Sequence, residues 1–187
     1  MELAREGGPD AVVLREASRR VGVSHNAAYR HFADRDQLLR EVCVRCMSQL
    51  ALLMERRVAA APKGRGVRAE RRRLRASGLA YVEFALKETG WFRTAFSVPR
   101  RGDATFRPGE GTGASGLGPF ELLNERLDAL ESAGGFPSAR REGAEYAAWA
   151  AVHGVATLLT DGPLRSVPAK ERDAIVARVL DNVERGL

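Results

Sequence analysis

The sequence predicts an all-α fold, and three observations lead to that prediction. In nearly every periodic segment of the 187 residues, apolar side chains recur every three to four positions rather than every second position. Glycine and proline stand between those segments, where helices commonly end. Hydrophobic residues make up 44% and charged residues 29% of the chain, so a globular protein with a substantial buried core can form.

The helices expected in the N-terminal half follow from these stops. A Gly-Gly-Pro run at residues 7–9 ends a short first segment, and Gly22 separates two short helices. Pro62 follows a long helix, and Gly90 is the expected C-terminal stop of the next one. The expected helices cover residues 2–6, 14–21, 24–32, 35–60, 67–88 and 91–98.

Three more helices are expected after a long loop. Residues 100–119 are rich in glycine and have no helical periodicity, so we expect a mobile loop there. Helical periodicity returns over residues 120–132, 138–159 and 170–185.

The charge of the chain points to an anionic partner. Its formal net charge is +6, and nucleic acid is the commonest partner of a small basic protein, although an acidic membrane surface is the alternative. Residues 1–8 lack the apolar core of a secretory signal, and the weakly polar run at residues 146–159 is too short to span a bilayer. We therefore expect a cytoplasmic protein without a membrane span.

Residues 14–32 have the pattern of a helix-turn-helix. A helix of about eight residues meets Gly22, which suits a tight turn, and Ser24 is placed to cap the next helix. Val21 and Val23 are expected to supply the apolar contacts that fix the angle between the two helices. The small residues suited to close packing are Ala17, Ala27 and Ala28. A plain helical hairpin is the alternative interpretation.

The second helix of this motif carries side chains that fit DNA. The N-terminal part of such a helix enters the major groove, where Asn can pair with adenine and His or Ser can contact several bases. Tyr29, His31 and the nearby Arg35 are better suited to phosphate oxygens. The expected DNA contacts are Arg15, Ser24, His25, Asn26, Ala27, Tyr29, Arg30, His31 and Arg35.

This stretch resembles the signature of the TetR family of transcriptional regulators, G-V-S-x4-Y-x-H-F-x2-K-x2-L-L. The matching residues are Gly22-Val23-Ser24, Tyr29, His31, Phe32, Arg35 and Leu38-Leu39. The resemblance covers roughly residues 2–45 and implies that Tyr29, His31 and Arg35 touch the DNA backbone. It also implies a helix-turn-helix domain over residues 1–45 and a helical ligand-binding and dimerisation domain over residues 46–187.

Two positions depart from the family pattern. Val13 stands where the family has Ser or Thr capping the preceding helix, so the phosphate contact made there is expected to be lost. Family members also carry further helical turns ahead of Glu2, so either the true start lies upstream or the DNA-binding domain is loosely held. The main alternative function is therefore a TetR-like dimeric binding module with weakened or lost DNA binding.

The segment 138–159 is expected to have two functional faces. The face that suits a cavity carries Tyr146, Trp149, His153 and Thr157. The opposite face suits close approach of a second helix in a dimer, and carries Ala144, Ala147, Ala151, Gly154, Val155 and Leu158. The other candidate pocket walls are Tyr81, Phe84, Trp91, Phe92 and Phe96. For each aromatic residue, the alternative interpretation is plain core packing. For His153, the alternative is a buried imidazole that is hydrogen-bonded within the protein.

The C-terminal part also carries signs of a regulatory core. Trp149, His153 and Gly154 resemble the WHG type of C-terminal domain found in one branch of TetR-like regulators. The last helix bears one apolar stripe of Ile175, Val176, Val179, Leu180 and Val183, which can complete a four-helix dimer interface. Together with the resemblance, these features predict a homodimer through the last two helices. They predict a repressor that a small-molecule effector releases from operator DNA.

Other patterns carry no separate function in this interpretation. Cys43 and Cys46 have C-x-x-C spacing, yet they share an apolar helical stripe, so buried structural thiols are expected rather than a redox or metal pair. Residues 111–116 match G-x-G-x-x-G but lack the preceding strand of a dinucleotide site. No catalytic triad or paired carboxylates can be assembled, so no cofactor, metal or enzymatic activity is expected. Basic residues over 56–75 form a solvated helix face or add non-specific DNA attraction.

Overall fold

The computed structural model describes residues 1–97 and 110–186, and over those ranges the all-α prediction is confirmed, with no strand present. The helices within them are α1 Glu2–Gly7, α2 Leu14–Val21, α3 His25–Tyr29, α4 Arg35–Ala59, α5 Val67–Lys87, α6 Thr89–Ala95, α7 Pro119–Ser132, α8 Ala144–Thr160 and α9 Ala169–Gly186. Single turns of 3-10 helix lie at Pro9–Ala11 and Ser138–Arg140.

Local hydrogen bonds fix the helix-turn-helix and the start of α4. Gly22 adopts φ 71° and ends α2, and the Ser24 hydroxyl accepts a hydrogen bond of 3.2 Å from the Ala27 N–H, as a capping serine does. Asp34, which was not predicted as a cap, accepts from the Gln37 N–H at 2.8 Å at the head of α4. These caps satisfy backbone donors that the first turn of each helix leaves open.

Two predicted helices are shorter than expected. The helix predicted over residues 24–32 ends at Tyr29, and a turn follows in which the Phe32 N–H still reaches the Ala28 carbonyl at 3.0 Å. The helix predicted over 138–159 begins at Ala144, because Gly143 adopts φ 79° and breaks the path from the preceding 3-10 turn. Both differences lie at helix ends, where local signals are weakest.

The prediction that Gly90 ends a helix is wrong. Gly90 lies buried inside α6, in the first turn after the short break at Glu88. A Cβ at this position would lie 2.7 Å from the carbonyl carbon of Arg5, and closer still to the carbonyl oxygens of Arg5 and Ala4. Glycine is therefore required for the close approach of α1 to α6, and not for a helix stop.

Three buried clusters of apolar side chains hold the described helices together, and the smallest contains Leu74, Leu127, Leu130, Phe136 and Ala144. The N-terminal core contains Ala4, Val12, Leu14, Leu38, Leu39, Val42, Cys43, Cys46 and Ala95. All six helices from α4 through α9 contribute side chains to the central core. Examples are Leu50, Phe84, Leu122 and Val176. Trp91 of α6 and Phe96, which directly follows this helix, pack against both the N-terminal and the central core. Because α4 and α6 contribute to both of these cores, they are the two helices that connect the helix-turn-helix to the rest of the chain.

The thiols are buried, as predicted. The Cys43 Sγ donates to the Thr94 carbonyl at 2.9 Å, and Cys46 has no solvent exposure. Over the described ranges, no group of three or more His, Cys, Asp or Glu side chains is placed to hold a metal ion. No helix in that part of the chain combines the length and the apolarity that crossing a bilayer requires.

Part of the predicted loop is fixed to α4. Residues 98–109 lie outside the described residues, but residues 110–118 form a turn on the surface of α4. Glu55 accepts hydrogen bonds from the Ala114 N–H at 2.8 Å, from the Ser115 N–H at 2.9 Å and from the Ser115 hydroxyl at 2.6 Å. A Cβ on Gly113 would lie 2.6 Å from this carboxylate, which gives that glycine of the G-x-G-x-x-G match a packing role.

Candidate nucleic-acid interface and core sites

The predicted recognition helix α3 presents its polar side chains to solvent. Asn26, Tyr29, Arg30 and His31 are exposed, as is the capping Ser24. Ala27 is half-buried, and Ala28 turns toward the N-terminal core together with Ala17 of α2. The backbone of His25 forms the first residue of α3. The small residues thus pack against the rest of the domain, and the side chains that can form hydrogen bonds face solvent. A helix that enters the major groove of DNA needs this arrangement.

The apolar contacts within the motif are not those expected from the sequence. Val21 and Val23 are 71% and 45% exposed, so the prediction that they fix the angle between α2 and α3 is wrong. Instead, Leu14 is buried, and the buried Ser18 hydroxyl donates to the Leu14 carbonyl at 2.7 Å. Position 21 ends its helix and position 23 follows the turn, where neither side chain can reach the core.

Of the four arginines in the helix-turn-helix, two form ion pairs and two do not. Arg19 and Arg20 pair with Glu16 at 2.7 and 3.3 Å, and Arg20 also pairs with a carboxylate of α1. Hydrogen bonds from Arg19, and then from Arg20, lower the pKa of Glu16 to about 2, so this carboxylate stays charged and paired. The guanidinium groups of Arg15 and Arg30 make no ion pair or hydrogen bond within the described ranges, and both side chains are exposed. Their guanidinium groups are free to contact phosphates.

The Arg35 guanidinium binds the backbone of its own domain. Its Nε donates to the Val12 carbonyl at 2.9 Å and its Nη2 donates to the Pro9 carbonyl at 2.7 Å. These bonds attach the start of α4 to the segment that leads into α2. In this arrangement two of the donors serve the fold of the domain.

The first helix is attached firmly to α6. Arg5 forms a bidentate pair with Glu88, both bonds being 2.6 Å, and its guanidinium lies 5.2 Å above the ring of Trp91. The Trp91 indole N–H donates to the Met1 carbonyl at 3.1 Å, and Ala4 is fully buried. A loosely held N-terminal domain, one of the two alternatives raised by the short first helix, therefore does not match these contacts.

Five of the nine predicted pocket residues come together between α5, α6 and α8. We call this group the aromatic cluster: Tyr81, Phe92, Phe96, Trp149 and His153. The Tyr81 hydroxyl lies 2.8 Å from the His153 Nδ1 and accepts a hydrogen bond from the Trp149 indole at 3.3 Å. Burial lowers the pKa of His153 and raises that of Tyr81, which favours the neutral form of both.

Comparison with known proteins decides the family. The model described as "Bacterial regulatory proteins, tetR family" matches residues 1–42, and the model "Tetracyclin repressor-like, C-terminal domain" matches residues 74–183, more than half of the chain. The chain belongs to the TetR family. The sequence-based identification is thus confirmed, and because this is a family of DNA-binding regulatory proteins, so is the prediction that the chain is not an enzyme.

A solved structure shows the same architecture as this TetR-family chain. The chain is similar to a protein of unknown function from Rhodococcus sp. RHA1, with a TM-score of 0.73 and 27% sequence identity. The similarity covers 95% of this chain and 86% of that one. No curated protein matches the chain significantly.

The other predicted pocket residues of this TetR-family core lie elsewhere. Tyr146 is 61% exposed and Thr157 is exposed as well. Phe84 is buried in the central core, and Trp91 belongs to the contact with α1. Tyr146 instead packs with Phe120 of α7, their ring centroids being 5.7 Å apart. The aromatic cluster is therefore smaller than the predicted set.

Helix α8 exposes one broad apolar face, but its members differ from the predicted ones. Ala144 and Val155, which were assigned to a dimer face, are buried within the chain itself, Ala144 in the smallest cluster and Val155 in the central core. The residues that remain exposed or half-exposed include Ala147, Ala150, Ala151, Gly154, Thr157 and Leu158. On α9, Val176 and Leu180 of the predicted stripe are likewise buried against the central core.

A cleft that the sequence did not indicate lies between α4, α5, α7 and the turn at residues 110–118. Its volume is about 480 Å³, within the range of small-molecule pockets. Met54, Val58 and Leu122 are among its apolar lining residues, and Glu55 and Ser77 are among its polar ones. None of the nine predicted pocket residues lines it. It was missed because its walls come from four separate segments, and the contacts that bring the turn to α4, such as those of Glu55 with Ala114 and Ser115 and of Arg40 with Glu110, join residues far apart in the chain.

Proposed function

We propose that this TetR-family protein is a homodimeric repressor that a small-molecule effector releases from operator DNA. The observation that carries the proposal is the exposed surface of α3 and of the turn after it, where Asn26, Tyr29, Arg30 and His31 are exposed, as is the unpaired Arg15 of α2. Residues 1–45 would form the DNA-binding domain and residues 46–187 the ligand-binding and dimerisation domain. Such a regulator would act in the cytoplasm, where bacterial operator DNA lies.

Dimer formation is supported by the exposed face of α8. A Cβ on Gly154 would have no heavy atom within 4 Å, so this position is open for close approach by a second helix. Leu158 is 43% exposed four residues further on, and Ala147 and Ala150 extend the same apolar face. A twofold pairing of this face, together with the outer surface of α9, would bury it. In the DNA-competent state, the two α3 helices should then lie roughly 34–36 Å apart.

Coupling between an effector and DNA is supported by the position of α6. Phe92 of α6 and Phe96 at its C-terminal end belong to the aromatic cluster, while Gly90 and Trp91 of this helix contact α1. Arg93 pairs with Asp161 at the end of α8. An effector that displaces the aromatic side chains would therefore move α6, and α1 with it. Such an effector must bind the two conformations with different affinities.

A gel-shift measurement with the DNA upstream of the gene, at several stated salt concentrations, tests DNA binding. Arg30→Ala should weaken binding on all sequences and reduce the slope of log affinity against log salt by about one. Asn26→Ala should reduce the preference for the operator by about 1–3 kcal/mol if it pairs with a base. Arg140→Ala is the matched control, because Arg140 is exposed on the 3-10 turn Ser138–Arg140, outside both the helix-turn-helix and the basic region of residues 56–75.

The outcomes separate the repressor from its alternative. Complete absence of retardation, also with an N-terminally extended chain, would favour a dimeric binding module that has lost DNA binding. The dimer is tested by light scattering after size-exclusion chromatography of Gly154→Arg. A charged side chain at this open position should give monomers, and an unchanged mass would reject the proposed α8 interface.

A further inference from the structure

The cleft between α4, α5, α7 and the turn at residues 110–118 has an unusual distribution of charge. Glu55 receives its three hydrogen bonds from neutral donors, and it has no ion pair over the described ranges. Burial alone would raise its pKa, but the bonds from Ser115 and Ala114 outweigh burial and lower the pKa, so the carboxylate is charged. A carboxylate has about four acceptor positions, so Glu55 retains one for a further donor.

The other charged residues of the cleft do not neutralise Glu55. Arg126 lines the cleft, but it pairs with Glu125 at 2.6 Å and lies 3.9 Å from Glu70. The lining contains two carboxylates, Glu55 and Glu125, and one guanidinium, Arg126, which leaves one net negative charge. A cationic ligand would therefore be favoured over an anionic one.

The floor of the cleft carries a polar group. Ser77 of α5 is only 2% exposed, and it lines the cleft. A hydroxyl group can both donate and accept a hydrogen bond, so it can bind a polar atom of a ligand that reaches the floor. The remaining walls are apolar, with Met54, Val58 and Leu122 among them.

From these observations we propose that the cleft binds a small organic amine, with its apolar body against Met54, Val58 and Leu122 and its ammonium group on Glu55. The hydroxyl of Ser77 offers a second polar contact to a ligand that reaches the floor. The site is separate from the aromatic cluster, since no residue of that cluster lines it. The proposal concerns binding alone, so it does not depend on the proposed regulation of DNA binding.

Calorimetric titration of the full chain with three probes of the same shape tests the proposal. The probes are 4-phenylbutylamine, 4-phenylbutanol and 4-phenylbutyrate, which differ only in the charge and chemistry of one end. A charge-assisted hydrogen bond should make the amine bind roughly tenfold more tightly than the alcohol, and the carboxylate should bind most weakly. No heat of binding from the amine at millimolar concentration, or equal binding of the carboxylate, would overturn the proposal.

Variants locate the binding site. Glu55→Gln keeps an acceptor for the turn but removes the charge, so the preference for the amine over the alcohol should fall close to unity. Val58→Phe should weaken all three probes, because the ring occupies the cleft. Glu41→Gln is the matched control, since Glu41 is an exposed carboxylate on the same helix and lies outside the lining. Persistence of the amine preference in Glu55→Gln, or its loss in Glu41→Gln, would refute the assigned site.

Discussion

Replacing Gly90 by alanine tests how closely α1 must approach α6. Alanine favours a helix over glycine by about 1 kcal/mol, so local propensity alone predicts stabilisation. The new Cβ would meet the Arg5 carbonyl carbon at 2.7 Å, whereas ordinary Cβ contacts lie beyond about 3.4 Å. The neighbouring atoms belong to the backbone of α1, so the whole helix must move by roughly 1 Å to relieve the overlap.

The expected result is a net loss of stability. Overpacking of this kind costs about 1–3 kcal/mol, and displacement of α1 also weakens the bond from the Trp91 indole to the Met1 carbonyl, worth about 1 kcal/mol. After the gain in propensity, the free energy of unfolding should fall by about 2 kcal/mol. In a protein of this size that loss lowers Tm by about 4–8 °C. Hydrogen exchange in residues 1–8 should quicken at the same time, because α1 is the element displaced.

The matched control is Gly78→Ala, which makes the same change inside α5. Its Cβ would lie 2.7 Å from a terminal methyl of Leu180, which can rotate away. This variant should therefore stay within about 1 kcal/mol of the parent, since the gain in helix propensity offsets a small rearrangement. If calorimetric unfolding shows Gly90→Ala to be as stable as the parent, the required approach of α1 to α6 is refuted.

The remaining predictions concern the aromatic cluster and the thiols. Burial lowers the pKa of His153 below its ordinary value of 6.5, so the unfolded chain binds a proton more readily than the folded chain does. The free energy of unfolding should therefore be highest above pH 6.5 and should decrease as the pH falls below that value. The change in Tm between pH 7.5 and pH 5.5 should be smaller in His153→Asn than in the parent protein, and unchanged in the surface control His31→Asn. The same change in Tm in all three proteins would contradict this. Burial also raises the pKa of Cys43, and that of Cys46 to about 12, so both thiols should react with Ellman's reagent only after denaturation. Rapid labelling of the native protein at pH 8 would show that these thiols are accessible.

The features predicted well from the sequence depend on neighbours close along the chain. Ser24 caps α3 through the Ala27 N–H, three residues away, and Gly22 supplies the positive φ that ends α2. The helices α5 and α9 lie within one residue of their predicted ends, because regular periodicity and nearby glycine or proline fix both. The same short-range pattern carries the TetR signature, which is why the family could be identified from it.

The predictions that failed depend on contacts between distant segments. Gly90 looks like a helix stop, yet its role comes from α1, some 85 residues earlier in the chain. Val21 and Val23 are apolar and adjacent to the turn, but nothing in their local sequence shows that the packed small residues of the motif leave them at the surface. The apolar residues of α8 and α9 were divided between a pocket and a dimer face, whereas several of them fill the central core of the chain itself.

By itself, the sequence of this protein determined its helical fold, the position of the helix-turn-helix and its membership of the TetR family. Helix periodicity and capping act over a few residues, so they can be read without knowing the tertiary structure. Only the tertiary structure decided which partner each polar side chain has, such as the two carbonyls bound by Arg35 and the turn bound by Glu55. Periodicity shows that one face of a helix is buried, but it does not show which segment covers that face, because packing selects partners by shape across the whole chain.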